Sequence, residues 1–230
     1  NNQLPNCLWR ITMATQTTPF QGSKFYFGVG FETEKAITAC TVTPNATITV
    51  ANNGFKTGDY ISITGLGAAI DGFYPVKSVA SDVVTLADEV DWESFDKPTD
   101  FTKAKVAKIK LSDNFCAITS ISFDGGTRNK EDITTICSKG SEYQSNELEL
   151  GTIKLDFYFS PATTIQQDLR KKHRSGETFP WLMVFMNKQG SVYGSGFAQS
   201  VSFDGEVKGK LKGSITIENT KLENYLPATA

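Results

Sequence analysis

Hydrolytic chemistry usually needs a general base, and the sequence holds a single histidine to supply one. That residue, His173, lies inside the run Arg170-Lys171-Lys172-His173-Arg174. The run reads as the solvated, cationic end of a helix rather than as an acid–base site. Tyr193-Gly194-Ser195-Gly196 sets a serine between glycines but lacks the G-x-S-x-G spacing of a nucleophile elbow. No Walker-type phosphate loop occurs. Paired carboxylates for glycoside hydrolysis would have to be Glu147 with Glu149, or Asp88 with Asp91. Nothing in the pattern holds either pair at the separation that reaction needs, so surface charge is the simpler reading. The four cysteines, Cys7, Cys40, Cys116 and Cys137, form no C-x-x-C pair, and one histidine adds little to a zinc set. They read as reduced, mostly buried thiols of a protein made in a cytoplasm. The expectation is therefore a chain with no catalytic, cofactor-binding or metal-ligating residue, and not an enzyme.

Binding is constrained next. The formal net charge is −2 over 230 residues, whereas a protein that grips DNA usually carries a basic excess. The short basic run fits a helix C-terminus or a subunit contact better than a nucleic-acid patch. Hydrophobic residues make up 39% and charged residues 21%, enough apolar content for a folded core. No apolar run approaches the roughly 20 residues of a membrane span. Residues 1–12 carry one cation, Arg10, and no apolar core of a signal peptide; Met13-Ala14-Thr15 reads as a natural start.

The elements that must position any site are mostly strands. Segments rich in Thr, Val, Ile, Phe and Tyr alternate in polarity between Gly, Asn and Asp. Strands are predicted at 24–29, 47–50, 60–64, 73–79, 83–86, 106–111, 116–123, 131–136, 152–159 and 181–186. Ala80-Ser81-Asp82 joins two of them at hairpin spacing. Residues 88–105 are acidic, aromatic and irregular, and Pro98 excludes a central strand there. That stretch reads as a connector. Residues 138–150 are polar and mixed, and read as a loop. One helix is predicted, capped by Ser160 with Pro161 in its first turn, with Ile165 and Leu169 on its apolar face and Gly176 at its end. Gly190, Gly194 and Gly196 are placed in a flexible hairpin. Asp204-Gly205 is a two-residue turn signal between strands 197–203 and 206–217. In the last strand Val207, Leu211, Ile215 and Ile217 share one face, and Lys208, Lys210 and Lys212 the other.

The stretch from Cys116 to Pro161, CAITSISFDGGTRNKEDITTICSKGSEYQSNELELGTIKLDFYFSP, resembles the tail tube proteins of long-tailed bacteriophages. Its shared elements are Asp132-Ile133-Thr134-Thr135, then Cys137, the polar segment 138–150, Gly151, and Ser160-Pro161 before a short helix. The opening ATQTTPFQGSKFYFG and the Asp204-Gly205 hairpin are similar to the family's N-terminal arm and final hairpin. About two-thirds of the chain is covered. Between Phe31 and Lys108 lies extra sequence whose core, GFKTGDYISITGLGAAIDGFYPVKSV, resembles a small β-barrel module of phage structural proteins.

The resemblance implies an all-β fold, a β-sandwich or barrel with one short helix, in which residues 1–37 and 106–230 form the tail tube domain. Residues 38–105 form an inserted β domain whose two ends return to one place. It further implies hexameric rings of the chain stacked into a tube, with inner strands of neighbours closing one lumen that conducts DNA without binding it specifically. Segment 138–150, with Lys139, Glu142, Glu147 and Glu149, would bridge the rings. The implied partners are the chain itself and the tape measure, terminator and distal tail proteins, with no membrane and no cofactor; the implied place is the virion tail, assembled in the host cytoplasm. A tail hub or terminator that caps the tube is the neighbouring reading. A carbohydrate-binding β-sandwich, with exposed Trp92 and Phe95 stacking on sugars, is the alternative from another class.

Overall fold

The computed structural model describes residues 20–87 and 90–226; Cys7, the Met13 start, most of the N-terminal arm and Asp88 lie outside them. In chain order the elements are β1 (Lys24–Phe31), β2 (Lys35–Ala36), β3 (Ala39–Thr41), β4 (Thr47–Thr49), β5 (Tyr60–Thr64), β6 (Gly72–Ala80), β7 (Val83–Leu86), β8 (Lys105–Leu111), β9 (Ile118–Phe123), β10 (Thr127–Asp132), β11 (Tyr143–Glu149), β12 (Thr152–Tyr158), α1 (Thr164–Ser175), β13 (Phe179–Val184), β14 (Ser191–Asp204), β15 (Lys212–Asn219) and β16 (Asn224–Leu226). The protein is all-β, with one α-helix among the described residues. The main sheet is antiparallel and curled, in the order β3-β4-β7-β6-β5-β8-β1-β13-β14-β15-β12-β9, with β2 beside β8 and β16 beside β14.

The alternation of the strands sends their apolar residues into two clusters. One draws on residues 37–106, among them Ile48, Ile61, Ile63, Leu86 and Trp92. The other gathers Phe27, Leu155, Leu169, Phe179, Trp181 and Ile217. Strand β8 touches both groups of strands: Lys105 to Lys108 pair with β5, and Ile109 to Leu111 with β1. The chain enters and leaves the first group side by side, for Lys35 faces Val106 and the Ile37 amide donates to the Ala104 carbonyl at 3.0 Å.

Several sequence expectations are corrected. Asp204-Gly205 is not a two-residue turn: Asp204 faces Lys212, so residues 205–211 form the loop, and Val207 and Leu211 are exposed there. Only Ile215 and Ile217 of the expected apolar face are buried. Gly194 and Gly196 lie inside β14 and not in a hairpin turn, which falls at 185–190. Their smallness serves packing instead: a Cβ on Gly194 would lie 2.6 Å from the Trp181 ring. The helix begins at Thr164, not at Ser160, and Thr163 caps it without a side-chain bond. Gln166 reaches back, accepting from the Ser160 amide at 2.8 Å and donating to the Tyr158 carbonyl at 2.9 Å, which holds residues 160–163 as a turn. Gly176, left-handed at φ 66°, ends the helix as expected.

Of the three cysteines among the described residues, two are exposed rather than buried: Cys116 and Cys137 are open, and Cys40 is enclosed, where burial pushes its thiol up. The connector over 90–104 is irregular, but Trp92 is 1% exposed and Phe95 half-buried, so neither offers an open ring to a sugar. Trp92 plugs the first cluster edge-on to Tyr74, with ring centroids 5.5 Å apart, and burial pushes the Tyr74 phenol up to about 12. An irregular segment can still lend one large side chain to a core.

Leu169 is 2% exposed and ties α1 to the second cluster, whereas His173 is only half-buried. We expect Leu169→Asp to cost several kcal/mol, since it buries an unpaired charge. His173→Ala should stay within about 0.5 kcal/mol of the parent. Thermal melts of the two variants read this; a larger loss at position 173 would mean that the helix is anchored differently.

Candidate functional site

Among the described residues no catalytic constellation forms. Ser195 is buried, with its hydroxyl 3.0 Å from that of Thr220. Among the described residues no group of His, Cys, Asp and Glu is placed to hold a metal ion, and no helix is long and apolar enough to cross a membrane. Two other features stand out.

The first is a projecting hairpin. Beyond β9 the chain turns at Asp124-Gly125-Gly126, runs out along β10, returns along β11 and re-enters the sheet at Gly151 and β12. Its root is tight: a Cβ on Gly151 would sit 1.6 Å from the Asp124 carbonyl oxygen, so only glycine fits. Beyond the root, β10 and β11 pair only with each other among the described residues, from Thr127 opposite Glu149 to Asp132 opposite Tyr143. Every residue of β10 is exposed. At the tip, Ile133, Tyr143 and the fully exposed Ile136 offer apolar surface, and the Lys130 ammonium lies 4.3 Å from the centre of the Tyr143 ring. A two-stranded ribbon with no core of its own is marginal in water. Its apolar tip has the character of a contact surface.

All four residues singled out in the sequence fall on this hairpin. Lys139 and Glu142 are in the 133–142 tip, Glu147 and Glu149 on β11, and all are exposed. Glu149 accepts from the Asn129 side-chain amide at 2.7 Å. The segment 138–150 is largely strand rather than loop, and the expected strand 131–136 is shifted to Thr127–Asp132. Both differences have one cause: the ribbon is polar on both faces, so no period-two signal marks it.

The second feature is the outer face of the sheet β14–β15–β12–β9. Its register sets Asp156 beside Ser120 and Ser214, Lys154 beside Ser122 and Thr216, and Ser200 and Ser202 beside Thr216 and Ser214. The opposite face carries Ile153, Leu155, Phe157, Ile215 and Ile217 into the core. The outer face is thus lined by hydroxyls. Lys154 and Lys212 are set against Asp156, Asp204 and Glu218, which leaves no cationic excess. Sequence reading missed this surface. Its signal was present as the repeated apolar–hydroxyl alternation Ser120-Ile121-Ser122, Ser200-Val201-Ser202 and Ser214-Ile215-Thr216.

This sheet has two open edges among the described residues. β9 ends the strand order and pairs only with β12. Pairing of β14 with β13 stops at Gly196, so residues 197–204 have β15 on one side and no strand on the other.

Asp156 binds three strands together, accepting from Ser120 Oγ at 2.8 Å and from the Ser214 hydroxyl. These two bonds, Ser120's first, hold its carboxyl below the ordinary 3.8, with a smaller contribution from Lys154. A carboxyl lowered on folding adds stability that is present above its unfolded pKa and lost as the pH falls through its folded value. The melting temperature of Asp156→Asn should therefore fall short of the parent's at pH 6, and the gap should close below about pH 3. An unchanged gap at low pH would show that the ionised carboxylate is not its source.

No known protein family and no curated protein sequence matches the chain. Among solved structures it is similar to the SPP1 tail tube determined by solid-state NMR and cryo-EM, at 15% identity and a TM-score of 0.39, over 48% of this chain and 66% of that one. The chain thus spans just under two-thirds of that protein's length. It is also similar to a chain of the virion of a native gene transfer agent particle, at 16% identity and a TM-score of 0.41 over 51% of this chain and 88% of that one. A third similarity is to the tail of an empty gene transfer agent particle with C6 symmetry, at 15% identity and a TM-score of 0.41, over 54% and 87% of the two chains.

Proposed function

We propose that this protein is a structural subunit that polymerises into a phage tail tube, the conduit for DNA, and is not an enzyme. The observation that carries this is the four-stranded sheet β14–β15–β12–β9, with a hydroxyl-lined outer face and an unpaired strand edge on either side. Open edges are normally blunted or covered, because they template further pairing. Joining β9 of one copy to residues 197–204 of the next is a head-to-tail contact, which closes into a ring when the rotation permits. Six copies would make one continuous barrel with the hydroxyl face inward. A wall with no excess of Lys and Arg releases few counterions on meeting phosphate, so DNA can pass rather than stick. The sequence resemblance to tail tube proteins, carried by residues 116–161, points the same way.

In this reading the hairpin bridges stacked rings through Lys139, Glu142, Glu147 and Glu149, and residues 38–105 are an inserted domain on the outside of the tube. Tape measure, terminator and distal tail proteins would be the further partners, in the virion tail after assembly in the host cytoplasm.

Negative-stain microscopy of concentrated protein should show long tubes. Fixed small rings would make it a hub or terminator instead, and persistent monomers would sink the proposal. Replacing the hairpin beyond Arg128 and Leu148 with a two-residue turn should leave rings but no tubes. Joining Ile37 to Ala104 through a short Gly/Ser linker should leave tubes intact but thinner; a folded variant that never assembles would put residues 38–105 in the tube wall.

A further inference from the structure

The hairpin needs a surface to receive it, and the register of the sheet shows where one lies. The hairpin leaves the sheet at the end where Phe123 faces Ile153 and Thr152 faces Glu218. The opposite end, six residues away along β12, is where Tyr158 faces Lys212 and Lys212 faces Asp204. At about 3.3 Å per residue the two ends lie roughly 20 Å apart. From that far end projects the 205–211 loop.

The far end is cationic and aromatic. Phe159 and Phe203 stack with ring centroids 5.1 Å apart, and the Arg170 guanidinium from α1 lies over both rings, at 5.0 and 5.9 Å. Phe203 is 61% exposed even so, and Val207 at the loop's crown is fully exposed. The Lys210 ammonium lies 4.8 Å from the centre of the Tyr158 ring. Neither Lys208 nor Lys210 pairs with a carboxylate among the described residues, and only Asp204 and Glu206 offset the charge of Arg170, Lys208, Lys210 and Lys212. The hairpin is the converse. Glu131, Asp132, Glu142, Glu147 and Glu149 outnumber Arg128, Lys130 and Lys139, and its tip carries exposed isoleucines.

We infer that the occupant of this corner is a second copy of the same chain: the carboxylates and isoleucines of one hairpin dock on the Lys208–Lys210 loop and the Phe203–Arg170 stack of the copy ahead. This rests on the assembly reading above. Opposite charges at opposite ends of one sheet give a heterologous contact whose operation is essentially a translation along the strands. Such a contact never closes on itself, so it extends rings into a tube and leaves an acidic end and a basic end to every fragment.

Charge exchange in the full-length chain tests it. Lys208→Glu with Lys210→Glu, and separately Glu142→Lys with Glu147→Lys, alter exposed side chains, and melting curves will show that both variants fold. Each should reduce pelletable tubes by about tenfold or more, because like charges then face one another. The chain carrying all four substitutions should recover tubes to within a few-fold of the parent. If the parent and the Lys208→Glu/Lys210→Glu variant assemble equally, the corner is not the acceptor, while the tube reading stands. If each pair alone abolishes tubes and their combination recovers none, the two surfaces do not meet and the inference is wrong. If the parent itself makes no tubes, the assembly reading falls and takes the inference with it.

Discussion

Peptide N–H and C=O groups along a strand must find partners, and this constraint governs what the protein can be. Most of the main sheet satisfies itself: curling brings β1, β13, β14, β15 and β12 around one apolar cluster, and β8 carries the ladder on into a second group of strands. Among the described residues open edges remain at β3, at one end of the strand order, and at β9 and the second half of β14. The last two are the two sides of one four-stranded sheet. The same sheet carries hydroxyls on its open face and isoleucine, leucine and phenylalanine on the other, so unpaired edges and a polar wall belong to a single surface. Those two edges are open to a further strand by backbone chemistry alone, before any side chain is considered.

What could be read from the sequence divides along physical lines. Strands with one buried face were legible because alternation reports burial: the expected segment 60–64 is β5, 83–86 is β7, and 152–159 is β12 to within a residue. Where both faces are solvated the pattern vanishes, which is why the sequence of β11 has the character of a polar loop. Local turn chemistry misled where tertiary packing overrode it. Asp204-Gly205 has the composition of a tight turn, yet Leu211 crowds Gly205, and the strands close seven residues later. Trp181 accounts for Gly194 in the same way, for a glycine that looks flexible in sequence is the floor under an indole.

The candidate site was half legible. Lys139, Glu142, Glu147 and Glu149 were found as a polar segment, but sequence cannot say that they ride on a ribbon held clear of the core. The hydroxyl face was present as an alternation and went unread, because serine between apolar residues is also what any solvated strand face looks like. Only the register, which sets Ser120, Asp156 and Ser214 in one row across three strands, turns three ordinary patterns into one wall. In the sequence the cationic corner is scattered, as a basic helix end and as lysines on one face of a strand. The stack of Phe159 and Phe203 under Arg170 is what joins those pieces.

The crowded root of the hairpin has a mechanical consequence. Gly151 lies against the Asp124 carbonyl with no room for even a methyl group, and the Asp124 amide is bonded to the Thr152 carbonyl at 2.8 Å. A ribbon fixed in this way behaves as a cantilever built into a wall rather than as a rod on a pivot. Load applied at Ile136 is carried as a bending moment into β9 and β12, the strands that frame the hydroxyl face. Strain imposed on the tip is thereby delivered to the curvature of that sheet.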